Sequence, residues 1–362
     1  MDIIGWDIQM LDTPVLWVDL DLMENNIKRL SSYMRKAGVS WRPHTKGVKI
    51  PAIAHKMLDA GAIGVTCAKL SEAEVMAAGG VKDILVANQV VGEIKIARLC
   101  ALRHHTDIMV SVVDLINAEE ISKQAVNAEV KIRVLIELNV GMHRAGIEPG
   151  QRVVDFACQL VQLPGIELAG LMAWEGHVVG IEDPTVKQVE CERAIRSLVE
   201  TAELCRKQGI PIHIVSCGGS GSYRITAHIP GITEIQAGGA VFGDVTYRRW
   251  GGAIDCSLFV LSTVTSRPTP SRAIIDAGRK TMNGEVSMPE VLGVPGVKLA
   301  TLSAEHGYLE LDDPNLPIKT GDRVNLIVGY GDWTVCLHDQ LVGVRRGKVE
   351  VVWDIYGRGK LT

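Results

Sequence analysis

Short apolar runs alternate with longer segments of helical periodicity from the start of the chain to about residue 245. Ile84–Ala87, Asp107–Val112 and Ile132–Glu137 are examples of the runs, and Leu115–Asn127 is one of the amphipathic segments. Runs without polar alternation are typical of parallel strands that helices cover on both faces. The repeated strand and helix units, roughly eight or nine, fit a closed (β/α)8 TIM barrel better than an open sheet.

The pattern changes near residue 246. Ser257–Val264 and Arg323–Val328 are predicted strands, and turns rich in Gly, Pro and Asp replace the long helices between them. The sequence therefore predicts an α/β barrel over residues 13–246 and a β-rich domain formed by residues 1–12 and 247–362. We expect the β-rich domain to complete the active site. Within the barrel series, Val15–Leu20 is the first predicted strand and Met23–Lys36 the first helix.

Composition argues against several classes of protein. The net charge is -4 and there are only three Phe and six Tyr, so basic patches and aromatic platforms for nucleic acid are not expected. The eight cysteines have no CxxC spacing, which indicates reduced thiols in the cytoplasm rather than disulfides or structural zinc. No apolar run reaches the roughly 18 residues of a membrane span, and the first residues lack the basic start of a secretory signal. We expect a cytoplasmic protein that binds a small molecule, without a nucleic-acid or membrane partner.

Polar residues follow many of the apolar runs, where a barrel builds its site. A structural explanation would require each of these groups to be satisfied separately as a cap or turn residue, which is less probable for all of them than for one. The candidates are Asp19, His44, Lys46, Asn88, Gln89, residues 139–144, residues 174–177, the glycine-rich loop after Val215, and Gly238 with Gly239.

Two glycine-containing loops are candidate phosphate sites. Ser216–Ser222 and Ala237–Ala240 both follow predicted strands, and small residues let backbone amides surround an anion. Such loops are often simple turns, but the lysine at Lys46 and the cation at Arg144 add the other parts of a pyridoxal phosphate (PLP) site. Lys46 would form the Schiff base, and Arg144 would hold the phenolic oxygen. Neither a P-loop nor a GxGxxG dinucleotide motif follows a strand.

Six short motifs occur in order along the sequence: Asp12–Val15, Arg42–Lys46, Val140–Arg144, Trp174–His177, Gly218–Tyr223 and Asp276–Lys280. With these motifs the chain resembles the D-threonine aldolase and D-serine dehydratase family of fold-type III PLP enzymes. The resemblance implies a barrel of alanine-racemase type, a β-rich C-terminal domain and a homodimer. It favours Lys46 over Lys49 as the PLP lysine. The PLP-binding residues that it implies, together with the loops above, are Lys46, His44, Arg144, Gly218, Gly219, Ser220, Gly221, Ser222, Tyr223, Gly238 and Gly239.

The chain departs from this family at one predicted site. Members usually hold a divalent metal with a His-x-Cys or His-x-Asp pair in the C-terminal domain, and the matching positions here are Tyr330 and Asp332. Tyr is a weaker ligand than imidazole for such metals. A cation could persist on Asp332 with help from His306 or His338, be lost, or give way to other chemistry. An oxygen-rich remnant would favour Mg²⁺ or Mn²⁺ over Zn²⁺.

The leading hypothesis for function is cleavage of a D-configured β-hydroxy-α-amino acid, resembling D-threonine or 3-hydroxyaspartate, to glycine and an aldehyde. Lys46 would carry PLP, and His177 or Tyr330 would act as the catalytic base if no metal assists. Dehydration of D-serine or 3-hydroxyaspartate, metal-independent racemisation or transamination, and a non-catalytic PLP carrier are the alternatives.

Overall fold

The computed structural model describes residues 2–362, and the chain divides into two compact units. The barrel unit comprises residues 29–46, 51–238 and 360–362. The β unit comprises residues 2–28, 47–50 and 239–359. The chain therefore passes from one unit to the other directly after Lys46 and directly after Gly238.

The described residues form strands and helices with the following bounds. The strands are β1 (Val15–Asp19), β2 (Ser40–Trp41), β3 (Val65–Cys67), β4 (Asp83–Gln89), β5 (Asp107–Val112), β6 (Ile132–Leu138), β7 (Ile166–Ala173), β8 (Ile214–Cys217), β9 (Glu234–Ile235), β10 (Leu258–Thr269), β11 (Arg272–Ile275), β12 (Glu290–Val291), β13 (Val297–Leu302), β14 (Gly307–Leu311), β15 (Arg323–Ile327), β16 (Gln340–Arg345) and β17 (Lys348–Asp354). The helices are α1 (Leu20–Ala37), α2 (Pro51–Asp59), α3 (Leu70–Ala78), α4 (Glu93–Arg103), α5 (Leu115–Asn127), α6 (Gln151–Leu160), α7 (Pro184–Lys207), α8 (Tyr223–Thr226), α9 (Val245–Arg249) and α10 (Gly331–Thr334), with short 3-10 turns at Ile8–Met10, Gly176–Val178, Gly239–Val241 and Val335–Leu337.

Strands β2 to β9 form an eight-stranded parallel sheet in the order β2-β9-β8-β7-β6-β5-β4-β3. The two ends of this order meet, because His44 pairs in parallel with Thr66 and the Ile63 amide donates to the Trp41 carbonyl at 2.9 Å. The sheet therefore closes, and the predicted (β/α)8 barrel is confirmed.

Apolar side chains fill part of the barrel unit between the strands. Leu85, Met109, Leu135, Ala169 and Met172, from β4 to β7, pack into one buried cluster. A filled barrel leaves its end faces, rather than its centre, for ligand binding. The polar groups at the carboxyl ends of the strands are therefore the groups to consider.

The surrounding helices begin where the sequence supplies caps. Asp114 accepts a hydrogen bond from the Asn117 amide at the start of α5, and Asp183 accepts from the Thr185 and Val186 amides at the start of α7. Such side chains satisfy amides that have no partner within the helix. None of the helices within residues 2–362 combines the length and apolarity that crossing a membrane requires.

The β unit contains a nine-stranded sheet. Its main order is β13-β14-β11-β10-β1-β16-β17, and β15 pairs with β10 and with β12. The predicted β-rich domain therefore forms. The expectation that Val15–Leu20 opens the barrel series is wrong, because β1 pairs antiparallel with β10 and parallel with β16. An apolar run can be buried in either sheet, so its sequence does not specify its partner.

Candidate active site

The predicted site residues of the barrel unit follow the carboxyl ends of its strands. Residues 42–46 follow β2, residues 174–177 follow β7, residues 218–223 follow β8, and Gly238 lies three residues after β9. Residues 139–144 follow β6. Because all eight strands are parallel, these segments emerge at the same face of the barrel.

The segment that leads to Lys46 is anchored by buried polar contacts. The Trp41 indole nitrogen donates to the Ala237 carbonyl at 2.8 Å. The Arg42 guanidinium contacts Glu234 at 3.1 Å and Asp83 at 2.5 Å, and both Arg42 and Glu234 are almost fully buried. A buried cation needs such partners, so these contacts fix the backbone just before the candidate lysine.

His44 and Lys46 lie in the last residues of this anchored segment. The Lys46 amide donates to His44 Nδ1 at 3.3 Å, and the His44 amide donates to the Gln236 carbonyl at 3.0 Å. A Cβ at Gly238 would collide with the His44 backbone. Gly238 therefore allows a close approach of two chain segments beside the candidate lysine.

The glycine loop after β8 is organised by a buried carboxylate, Glu175. Glu175 accepts hydrogen bonds from the Ser222 hydroxyl and from the Gly218 amide, the latter at 3.3 Å. Ser222 Oγ also accepts from the Gly219 amide at 3.0 Å. Burial raises the pKa of the Glu175 carboxyl, while the Ser222 and Gly218 hydrogen bonds oppose that rise. Glu175 thus ties the loop to the end of β7.

Aromatic rings flank the same loop. A Cβ at Gly219 would collide with the Trp174 ring, so a side chain cannot be accommodated there. Tyr223, the first residue of α8, packs edge to face against Tyr33 with ring centroids 5.1 Å apart. Ser220 and Gly221 form the turn between these contacts. The structure therefore brings residues 218–223 together as one compact loop.

His177 has an unusual environment for a histidine. Both ring nitrogens are buried, and neither has a hydrogen-bond partner among residues 2–362. A Cβ at Gly141 would lie 2.7 Å from His177 Nε2, so only glycine leaves room for the ring. Burial, and then the charge of Arg193, lower the pKa of His177 below its ordinary value. The imidazole is therefore neutral near pH 7 and has unused hydrogen-bonding capacity.

Arg144 lies beside a buried carboxylate on β6. Its guanidinium is 3.7 Å from Glu137, and the Arg144 side chain is 56% exposed. Glu137 also accepts from Gln89 Nε2 at 2.6 Å. The cation is thus oriented by a fixed acceptor while it stays accessible to a ligand.

The predicted metal position lies in the β unit. Asp332 Oδ1 accepts from the Tyr247 hydroxyl and Oδ2 from the Tyr330 hydroxyl, each at 3.1 Å. Burial and then the charge of Asp332 raise the pKa of both phenols, so each keeps its proton. His338 Nε2 instead lies 2.7 Å from the Thr281 carbonyl oxygen, and His306 is exposed.

A second carboxylate, Asp244, borders this group. Its oxygens accept from the Tyr247 amide at 2.7 Å and the Gly331 amide at 2.6 Å. Burial raises the pKa of Asp244 to about 8, although these backbone hydrogen bonds lower it. Among residues 2–362 there is no group of three or more His, Cys, Asp or Glu residues placed to hold a metal ion. Neutral phenols do not replace imidazole as ligands, so this donor set does not fit a divalent cation.

Sequence reasoning missed the contacts that support these groups. Glu175 and Glu137 have no assigned role in the sequence interpretation, and Tyr247 is not among the predicted residues. Their partners lie 47, 7 and 85 positions away respectively, at Ser222, Arg144 and Asp332. The Trp174–His177 motif was the available signal for Glu175, but a motif does not show which of its acids is buried.

The barrel and its lysine-bearing segment place the chain in a defined class. Residues 18–246 match the family model described as "Alanine racemase, N-terminal domain", and residues 257–344 match "Putative serine dehydratase domain". The chain belongs to the family of the alanine racemase N-terminal domain. These matches confirm the resemblance to the D-threonine aldolase and D-serine dehydratase family that the sequence motifs indicate. They also confirm that the barrel is of alanine-racemase type.

Two relatives and one solved structure are similar to nearly the whole chain. The chain is 37% identical over 359 residues to a D-threonine aldolase from Arthrobacter sp, covering 98% of this chain and 95% of the relative. It is 33% identical over 374 residues to a 3-hydroxy-D-aspartate aldolase from Paracoccus denitrificans (strain Pd 1222), covering 98% and 94%. The crystal structure of D-threonine aldolase from Filomicrobium marinum superposes with a TM-score of 0.96 at 32% identity, covering 99% of each chain.

Proposed function

We propose that the protein is a PLP-dependent lyase that cleaves a D-configured β-hydroxy-α-amino acid to glycine and an aldehyde. The observation that carries this proposal is the position of Lys46, held by anchored residues just beyond the closure of an alanine-racemase-type barrel. The near full-length similarity to D-threonine aldolase and 3-hydroxy-D-aspartate aldolase supports the reaction. Fold alone would not do so.

The residues at the carboxyl face of the barrel fit the chemistry of PLP. Lys46 would hold the cofactor covalently, with His44 beside it, and Arg144 would offer an accessible cation to the phenolic oxygen. Backbone amides and hydroxyls of the loop 218–223 would bind the phosphate, with Gly238 and Gly239 contributing the neighbouring turn. The unpartnered nitrogens of His177 also favour a polar ligand at this face.

We assign His177 as the base that accepts the proton of the substrate β-hydroxyl. When bound, PLP withdraws the electron pair of the breaking bond between Cα and Cβ. His177 is neutral because burial lowers its pKa, so a ring nitrogen can take the hydroxyl proton as the aldehyde forms. Tyr330 keeps its proton, because burial raises its pKa. It is therefore better suited to donate a hydrogen bond, as it does to Asp332, than to act as a base.

Dehydration is the second candidate. The match of residues 257–344 to the model described as "Putative serine dehydratase domain" favours it. In that reaction Cα loses its proton and the β-hydroxyl leaves as water, and hydrolysis of the resulting enamine gives a keto acid and ammonia. The two reactions therefore differ in products rather than in substrate class.

The test is a substrate panel with the PLP-loaded protein. D-Threonine, D-serine and D-3-hydroxyaspartate are incubated with and without EDTA, and aldehyde, ammonia and keto acid are measured, with L-threonine as the stereochemical control. We expect glycine and acetaldehyde from D-threonine and none from L-threonine. The absence of aldehyde from every β-hydroxy amino acid would contradict the proposal, and ammonia with keto acid would indicate dehydration.

We further propose that the protein works as a homodimer in the cytoplasm. The family resemblance implies the dimer, and the eight free cysteines suit a reducing compartment. Sedimentation velocity at several protein concentrations tests the assembly, and a monomer at all of them would contradict it.

A further inference from the structure

In the D-threonine aldolase and D-serine dehydratase family, the segment that matches residues 330–332 would hold a metal. In this chain the segment contains a different type of site. The carboxylate of Asp332 is shared by two phenols, Tyr247 on one oxygen and Tyr330 on the other, at 3.1 Å each. Both hydroxyls donate, so their hydrogens point toward the carboxylate. We call Asp332, Tyr330 and Tyr247 the phenol cluster.

A cation on Asp332 would compete with these hydrogen bonds. Each oxygen of Asp332 already accepts one phenol hydrogen, and a hydroxyl that donates to Asp332 must give up its proton to become a strong ligand. At the position of Tyr330 the family has an imidazole, which offers a lone pair without losing a proton. The neighbouring Asp244 is already the acceptor for the Tyr247 and Gly331 amides.

Packing holds the phenol cluster in this arrangement. The Tyr330 ring lies 5.7 Å from the ring of Tyr247, 6.0 Å from that of Trp250 and 5.7 Å from that of Trp333, measured between centroids. The Tyr330 residue is only 8% exposed. Such aromatic contacts hold the Tyr330 ring, and with it the hydroxyl oxygen, in place.

Two glycines also fix the phenol cluster. A Cβ at Gly239 would collide with the Tyr247 ring, and a Cβ at Gly47 would collide with Asp332 Oδ1. Gly47 directly follows Lys46 in the sequence. The close approach at Gly47 leaves Asp332 little room to turn away from its phenols.

We propose that the phenol cluster replaces the divalent cation site of the family, so that the chain takes up no divalent cation at Asp332 and its reaction needs none. The part that concerns the reaction rests on the proposed function. The part that concerns binding does not, because cation uptake is measured without substrate. The phenol cluster provides two neutral hydrogen-bond donors around one carboxylate in place of a Lewis acid.

The experiment measures Mn²⁺ and Zn²⁺ bound to the full-length, PLP-loaded protein by isothermal titration calorimetry and elemental analysis. We expect no stoichiometric uptake by the wild type. Tyr330→His supplies an imidazole two residues before Asp332, and we expect it to gain Mn²⁺ affinity by about tenfold or more, the scale on which single groups change metal affinity. Tyr330→Phe, which removes the hydroxyl without adding a ligand, is the matched control and should not bind stoichiometrically.

Two results would overturn the inference. One is stoichiometric uptake by the wild type that Asp332→Asn abolishes. The other is the absence of any gain in Tyr330→His when circular dichroism shows that the variant is folded. Activity with and without EDTA is measured alongside. A protein that binds no cation and cleaves no substrate would contradict the proposed function while leaving the binding result intact.

Discussion

Ser222 connects the glycine loop to Glu175, and its removal gives the sharpest prediction about the loop. Ser222→Ala deletes the hydroxyl that donates to Glu175 and that accepts from the Gly219 amide. Glu175 is 0% exposed and Ser222 2% exposed, so water does not readily replace the lost partners. A hydrogen bond to a charged group contributes about 1.5–3 kcal/mol and a neutral one about 1 kcal/mol. We therefore expect the free energy of unfolding to fall by about 2.5–4 kcal/mol.

Urea unfolding followed by circular dichroism measures this change, provided that the slope m is unchanged. Ser266→Ala is the control, because Ser266 is exposed on β10 and its truncation should change stability by less than about 0.5 kcal/mol. If the loop binds the phosphate, we also expect the dissociation constant for PLP to be about tenfold higher in Ser222→Ala, which corresponds to about 1.4 kcal/mol of binding free energy. If both the free energy of unfolding and the PLP affinity of Ser222→Ala match those of the wild type, Ser222 does not hold the loop in place.

Three further predictions concern the same face of the barrel. Glu175→Gln has no titrating group at this position, whereas the pKa of Glu175 in the folded protein lies above its ordinary value of 4.5. As the pH rises above 4.5, the free energy of unfolding of the wild type should therefore fall relative to that of the variant. A wild-type value, minus the variant value, that stays flat or rises with pH in urea unfolding would argue against a buried carboxylate. Gly238→Ala should lower the free energy of unfolding by about 1–3 kcal/mol or more, because its Cβ would collide with the His44 backbone. A variant as thermally stable as the wild type would contradict that close approach. His177→Gln should lower kcat for aldehyde release by about 10²–10⁴-fold while PLP absorbance is retained, and an unchanged kcat would remove His177 as the base.

Periodicity predicted most of the barrel unit because most of its helices, and strands β4 to β7, are long and regular. The predicted helix Leu115–Asn127 coincides with α5, and the predicted strand Asp107–Val112 coincides with β5. Strand β2 has only two residues, so its place in the barrel depends on hydrogen bonds to β9 and on the His44 bridge rather than on a pattern.

Contacts between residues distant in sequence were the main limit on what the sequence could predict. The pairing of β1 with β10 joins Val15 to Leu261, and no local signal distinguishes that partner from a barrel strand. The same limit applies to the candidate site. Tyr330 and Asp332 were identified from a motif, but Tyr247, which completes the phenol cluster, is known only from the fold.

We infer that Lys46 holds PLP. Lys49 is the competing lysine: it is 7% exposed, has a φ of 59°, and its carbonyl accepts from the Gly357 amide at 3.0 Å. The direct measurement is borohydride reduction of the PLP-loaded protein followed by peptide mass spectrometry. We predict a phosphopyridoxyl group on Lys46, which Lys46→Ala abolishes and Lys49→Ala does not. A modification on Lys49, or on any lysine other than Lys46, would contradict the assignment of Lys46 as the PLP lysine.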